Sequence, residues 1–84
     1  PQNGDFIGRR FRLEFSVKSS KPVNKVEIYF NDRLVDSKTG SLGAEFNYKK
    51  HISAGSLDPQ NRLRVVVENE TGARREEEML LFSD

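Results

Sequence analysis

His51 is the only histidine among 84 residues, and there is no cysteine. A serine–histidine–aspartate relay would have to run through His51, and no G-x-S-x-G elbow offers a serine to it. Thiol catalysis, disulfides and thiolate metal sites are excluded by composition. His51 ends the alternating run "AEFNYKKH", where exposure to solvent is expected. The acidic residues Asp32, Asp36, Asp58 and Glu70 are dispersed, and no D-x-D-x-D-G spacing converges the oxygens that calcium needs. Only loops gathered at one end of the fold would bring them together. Asp32 and Asp58 read more simply as turn formers. No cofactor, no metal and no enzymatic activity are expected.

The aromatic and charged residues pose a second question. Tyr29, Tyr48, Lys49, Lys50 and Arg62 are the types that bind single-stranded nucleic acid by stacking and charge. Yet 14 basic residues face 13 acidic ones, and the net charge of +1 exerts no broad pull on nucleic acid or an anionic membrane. Phe11, Phe15, Phe30 and Phe46 have the phase of a core. Tyr29 and Val66 are the outward-facing exceptions: a lone tyrosine is a weak sugar platform, and a minor apolar patch against a neighbouring domain is the simpler reading. Tyr29, Asp32, Tyr48 and Val66 therefore form the expected interaction surface. "RR" at 9–10 and 74–75 and "EEE" at 76–78 read as solvated strand surface that protects an edge. Glu76 or Glu78 would sit across from Arg62 and Arg64 if the last strand pairs with theirs. Asn69 opens an N-x-[ST] pattern, "NET", and is read as a turn residue.

The elements that must position these residues are strands. "RRFRLEFSVK" alternates, with Phe11, Leu13, Phe15 and Val17 on one face. "SSKPV" interrupts it, since Pro22 has no N–H to give a ladder. "NKVEIYF" sends Val26, Ile28 and Phe30 inward, and Asn31–Asp32 suits a tight hairpin turn. "RLVDS" returns with Leu34 or Val35, and "KTGSLG" reads as a loop. "AEFNYKKHI" groups Ala44, Phe46 and Tyr48. "SAGSLDPQN" connects through Leu57. "RLRVVVEN" is the strongest strand, with Leu63, Val65 and Val67 one way and Arg62, Arg64, Val66 and Glu68 the other. "ARREEEMLLFSD" is rich in helix formers, yet "NETG" before it is a hairpin connection, so a last strand is favoured over a helix. Residues 1–9 are a linker or short first strand. Residues 10–84 form one domain, and the 35% hydrophobic content is enough for a packed core. No apolar run reaches the ~18 residues of a membrane helix, so direct membrane insertion is not expected. The fragment starts at Pro1 with no signal peptide. It is expected to come from a longer polypeptide, with any leader or anchor upstream.

Three stretches carry a family likeness. "PVNKVEIYFNDRLV" is similar to a strand–turn–strand unit. "SAGSLDPQNRLRVVVENETG" places Leu57, Asn61, Leu63, Val65, Val67 and Gly72 in a leucine, turn, asparagine, strand, glycine-turn pattern. "FRLEFSV" looks like an early strand. Together they resemble the bacterial immunoglobulin-like domains, relatives in shape of fibronectin type III modules, over roughly residues 10–82. The cysteine pair and tryptophan of antibody-type domains are missing, which leaves the disulfide-free bacterial type. The resemblance implies an all-β, immunoglobulin-like antiparallel β-sandwich of six to seven strands. It also implies a non-catalytic accessory module of a larger bacterial protein that is secreted, periplasmic or at the cell surface. Such a module acts as a spacer or interaction scaffold for neighbouring domains of the same polypeptide. The alternative is an adhesion module for a glycan or protein ligand.

Overall fold

The computed structural model describes residues 1–83; the last residue of the expected 10–84 domain, Asp84, lies outside the described residues. The chain forms β1 (Arg10–Phe30), β2 (Arg33–Ser53), β3 (Gln60–Asn69) and β4 (Arg74–Phe82). They make one antiparallel sheet in the order β2-β1-β3-β4, with no helix among the described residues. The fold is therefore all-β. The ambiguous segment after "NETG" is a strand: β4 pairs with β3 from Glu68↔Arg74 to Gln60↔Phe82 without a register shift. Its helix formers give way because the period-two phase of Met79 and Leu81 turns both to the core side, where Leu81 is buried and Met79 partly so.

Two expected interruptions are absorbed into longer strands. "SSKPV" lies inside β1 and "KTGSLG" inside β2. Both leave a mark as irregular register. Lys18 pairs with Glu45, but the next pairs are Val23↔Gly43 and Lys25↔Thr39. Pro22 fits because it lies among unpaired residues, and its carbonyl accepts the Glu70 N–H at 2.9 Å. Gly40 and Gly43 take φ of 111° and 87°, which supply the matching bend in β2.

The bends fold the long hairpin back on itself. Phe11 and Phe30 lie nineteen residues apart on one strand, and straight β-structure would separate them by roughly 60 Å. Their rings are 5.6 Å apart. On β2, Tyr48 reaches back to Asp36 at 2.6 Å across twelve residues. The long hairpin thus doubles back over the core, and β3 and β4 continue the same sheet beside the second half of β1. The body measures 40 × 20 × 18 Å.

The expected inward residues fill that core: Phe11, Leu13, Val26, Ile28, Phe30 and Leu63 are buried, joined by Val23, Ile52 and Leu81. Leu57 packs against it, as does Val35, while Leu34 is 49% exposed. Asn31 and Asp32 both take positive φ, 51° and 66°, as a two-residue hairpin turn of the primed type requires. Residues 3–7 run alongside the end of β4 and close its edge there, with Phe6 bridged in parallel to Phe82.

Candidate functional site

Tyr29 lies on the outer face of β1, as its phase requires, but it is half-buried and engaged. Its hydroxyl donates to Glu27 Oε2 at 3.0 Å, and the Arg64 guanidinium sits 4.6 Å from the ring centre. The hydrogen bond to Glu27, then burial and the Glu27 charge, raise the phenol above its ordinary pKa. The pairing Tyr29↔Arg64 across β1 and β3 sets this contact. Arg64 also approaches Glu76 at 3.9 Å, and Arg62 approaches Glu78 at 3.7 Å. The anticipated arginine–glutamate pairing is present, reached diagonally: directly opposite, Arg64 faces Glu78 and Arg62 faces Leu80.

Val66 shares that outer face but is only 2% exposed, so it offers no apolar patch. The physical reason is its place in an inner strand. Glu27 and Glu76 flank it directly across, and the longer neighbouring side chains overshadow a valine. Tyr48 is also corrected. It is 3% exposed, stacks on Phe15 at 4.8 Å, and belongs to the core. Its partner across the hairpin is Phe15, whose phase is inward.

Tyr48 has a polar role inside. Its hydroxyl donates to Asp36 Oδ2, and Lys50 Nζ lies 3.3 Å from the same oxygen. Burial first, then the Asp36 contact, pushes the Tyr48 phenol well above its usual range. Burial acting alone would raise Asp36. Hydrogen bonds from Tyr48 and Lys50, with the Lys50 charge, outweigh it and hold the carboxyl below its usual range. This clasp joins the two halves of β2.

Asp32 stands at the opposite end, exposed on the hairpin turn, 3.8 Å from Arg62. It borders a polar depression of about 360 Å³ shared with Asp58, Gln60 and Leu80. Beneath it lies Asn61, 1% exposed, which sequence reasoning assigned only to a family pattern. Its Oδ1 accepts from Asn31 Nδ2 and from the Asp58 N–H, both at 2.9 Å. Its Nδ2 donates to the carbonyls of Asp58 at 2.8 Å and Leu81 at 3.3 Å. The amide is satisfied on both sides and pins the hairpin turn to β3 and β4. Of the four expected surface residues, only Tyr29 and Val66 share a face.

His51 is exposed on β2, as expected. Asn69, read as a turn residue, is the last residue of β3 and caps the turn that follows: its Oδ1 accepts from the Thr71 and Ala73 N–H groups at 3.0 and 3.2 Å. Among the described residues, no three His, Asp or Glu side chains gather as a metal site.

The larger opening went unforeseen. A groove of about 580 Å³ runs between the first half of β1 and the β3–β4 pair. Leu13, Phe15 and Val17 form one wall; Val65, Val67 and Met79 form the other. Glu14, Lys18, Arg75 and Glu77 rim it. It exists because β3 pairs with β1 only from Val23 to Phe30, leaving the second edge of Phe11–Lys18 unpaired by strand. β4 is the last strand of the sheet, and Arg74–Glu78 are five consecutive exposed residues on it. The sequence signal was available in the run of charges, Arg74–Glu78, that precedes Met79.

No family model matches the chain, and comparison with curated proteins and with solved structures gives no significant match.

Proposed function

We propose that this domain is a non-catalytic accessory module of a larger bacterial protein, secreted or at the cell surface, with an immunoglobulin-like two-layer arrangement. The fold-back of β1, which sets Phe11 against Phe30, supports the two-layer reading. The observation that carries the role is the pairing of residues 3–7 with β4. The Gly4 N–H donates to the Leu80 carbonyl at 2.7 Å and the Ile7 N–H to the Phe82 carbonyl at 2.8 Å. Phe6 is bridged to Phe82 in parallel, so the two segments run in the same direction where they pair. That shared direction suits a spacer or scaffold set between neighbouring domains of the same polypeptide, with a contact surface on its flank.

The second reading, an adhesion module for a protein ligand, rests on the apolar walls of the groove. Its glycan form has less support, because Arg64 already lies over the Tyr29 ring. The test is excision. Replacing residues 5–82 in the parent polypeptide with a short Gly-Ser link should leave the flanking domains folded and shorten their spacing by small-angle scattering. An unchanged spacing would overturn the spacer reading.

A further inference from the structure

We propose that two copies of this chain associate through the exposed edge of β4, Arg74–Glu78 pairing antiparallel with its own equivalent. The phase of the main chain supports this first. Leu80 and Phe82 direct their peptide groups away from β3, towards the N-terminal segment. The Leu80 N–H donates to Asn3 Oδ1 at 2.7 Å and the Phe82 N–H to the Asp5 carbonyl at 2.8 Å. β4 is regular against β3, so alternation places the N–H and C=O of Glu78, Glu76 and Arg74 on that same outer side. There β4 has no further strand.

Symmetry then limits the register. Two copies of one edge strand pair antiparallel about a two-fold axis perpendicular to the sheet. That axis keeps each side chain on its own face, so opposed positions must both be even or both odd. Centred on Glu76, Arg74 falls opposite Glu78 of the second copy and Arg75 opposite its Glu77, each contact made twice. Centred on Arg75, that arginine meets itself and Glu77 meets Ala73. Centred on Glu77, that glutamate meets itself and Glu76 meets Glu78. Only the Glu76-centred register sets both arginines against glutamates. It is also the register in which the outward peptide groups of Arg74, Glu76 and Glu78 face one another. Its one like-charged contact, Glu76 with itself, has Arg64 beside it at 3.9 Å.

The inner-face charges give the edge selectivity. Arg75 and Glu77 stand opposite Val67 and Val65 on the groove side of β4. An apolar strand added there would bury both unpaired, whereas a second copy brings the complementary pair. The N-terminal segment closes the edge beyond Met79, which confines the contact to five residues.

Sedimentation equilibrium of the purified domain up to millimolar concentration tests the proposal with two charge reversals. The wild-type domain should form a reversible dimer. Arg75→Glu and Glu77→Arg should each weaken it about thirtyfold or more, since symmetry makes each reversal act twice. Mixed in equal amounts, the two variants should pair with one another, because each then meets its complement. A wild-type domain that stays monomeric overturns the proposal. So does a dimer that both single variants retain, or a mixture of folded variants that remains monomeric.

Discussion

The β3–β4 pair has two ends that differ in kind. Around Asn61, Leu63 and Leu81 the side chains are buried, the Asn61 amide has four partners, and residues 3–7 cover the edge of β4. Around Val65, Val67 and Met79 the apolar side chains are only partly covered, and the edge from Arg74 to Glu78 is open. One pair of strands thus holds the fold at one end and presents a surface at the other. Burial and satisfied polar groups concentrate stability where they occur together. The open end is therefore free to vary its charges and to meet a partner at low cost to folding.

The sharpest way to break this contrast is to remove the pin. Asn61→Ala leaves the Asp58 N–H and Asn31 Nδ2 without their partner and removes the side-chain bond to the Leu81 carbonyl. It should cost roughly 3 kcal/mol in urea unfolding. Val67→Ala, at the open end, should cost only about 1 kcal/mol, because a half-exposed valine loses less burial and leaves less of a cavity. Equal losses at the two positions would erase the distinction between the ends.

Much of the buried core was legible in the sequence. Alternation placed Phe11, Leu13, Val26, Ile28, Phe30 and Leu63 inward, and the Asn31–Asp32 turn follows from two residues that tolerate positive φ. The open end was less so. Strand phase tells which face a side chain takes, not whether its neighbours overhang it, so Val66 reads as outward although it is covered. Tyr48 was grouped with Phe46 by phase but taken for surface as an aromatic beside Lys49 and Lys50; its partner, Asp36, comes near only when β2 bends at Gly40 and Gly43. The bends themselves were invisible as such: "SSKPV" and "KTGSLG" look like strand ends, while in the sheet they are places where two long strands fold over together. The groove follows from that fold-over, which no local pattern encodes.

The Tyr48–Asp36 clasp makes an intermediate prediction. Tyr48→Phe should lower stability by about 1–2 kcal/mol, as expected for removing one buried hydrogen bond to a charged acceptor. The pH dependence has two signs. Asp36 titrates lower in the folded than in the unfolded chain, so its contribution is present above about pH 4 and is lost as pH falls through its folded pKa. Tyr48 titrates higher when folded, so its neutral form contributes fully below about pH 10 and that contribution fades as pH rises beyond. Thermal unfolding followed across pH should show Asp36→Asn flattening the acid limb and Tyr48→Phe flattening the alkaline one.

The smallest effect should come from the outer face. Arg62 is half-exposed and meets Asp32 and Glu78 at 3.8 and 3.7 Å, beyond hydrogen-bond distance. Arg62→Gln should change stability by no more than about 0.5 kcal/mol. A larger loss would give the outer face a structural weight equal to the core clasp.

Residue-resolved hydrogen exchange at two protein concentrations tests the contrast most directly. The amides of Leu80 and Phe82 should be protected in dilute and concentrated samples alike, because the N-terminal segment satisfies them. The amides of Arg74, Glu76 and Glu78 should exchange rapidly when dilute and become protected only as concentration rises. Protection of these three at dilution would mean that the edge is already closed. Rapid exchange at every concentration would mean that the open end of β4 does not pair with a second copy.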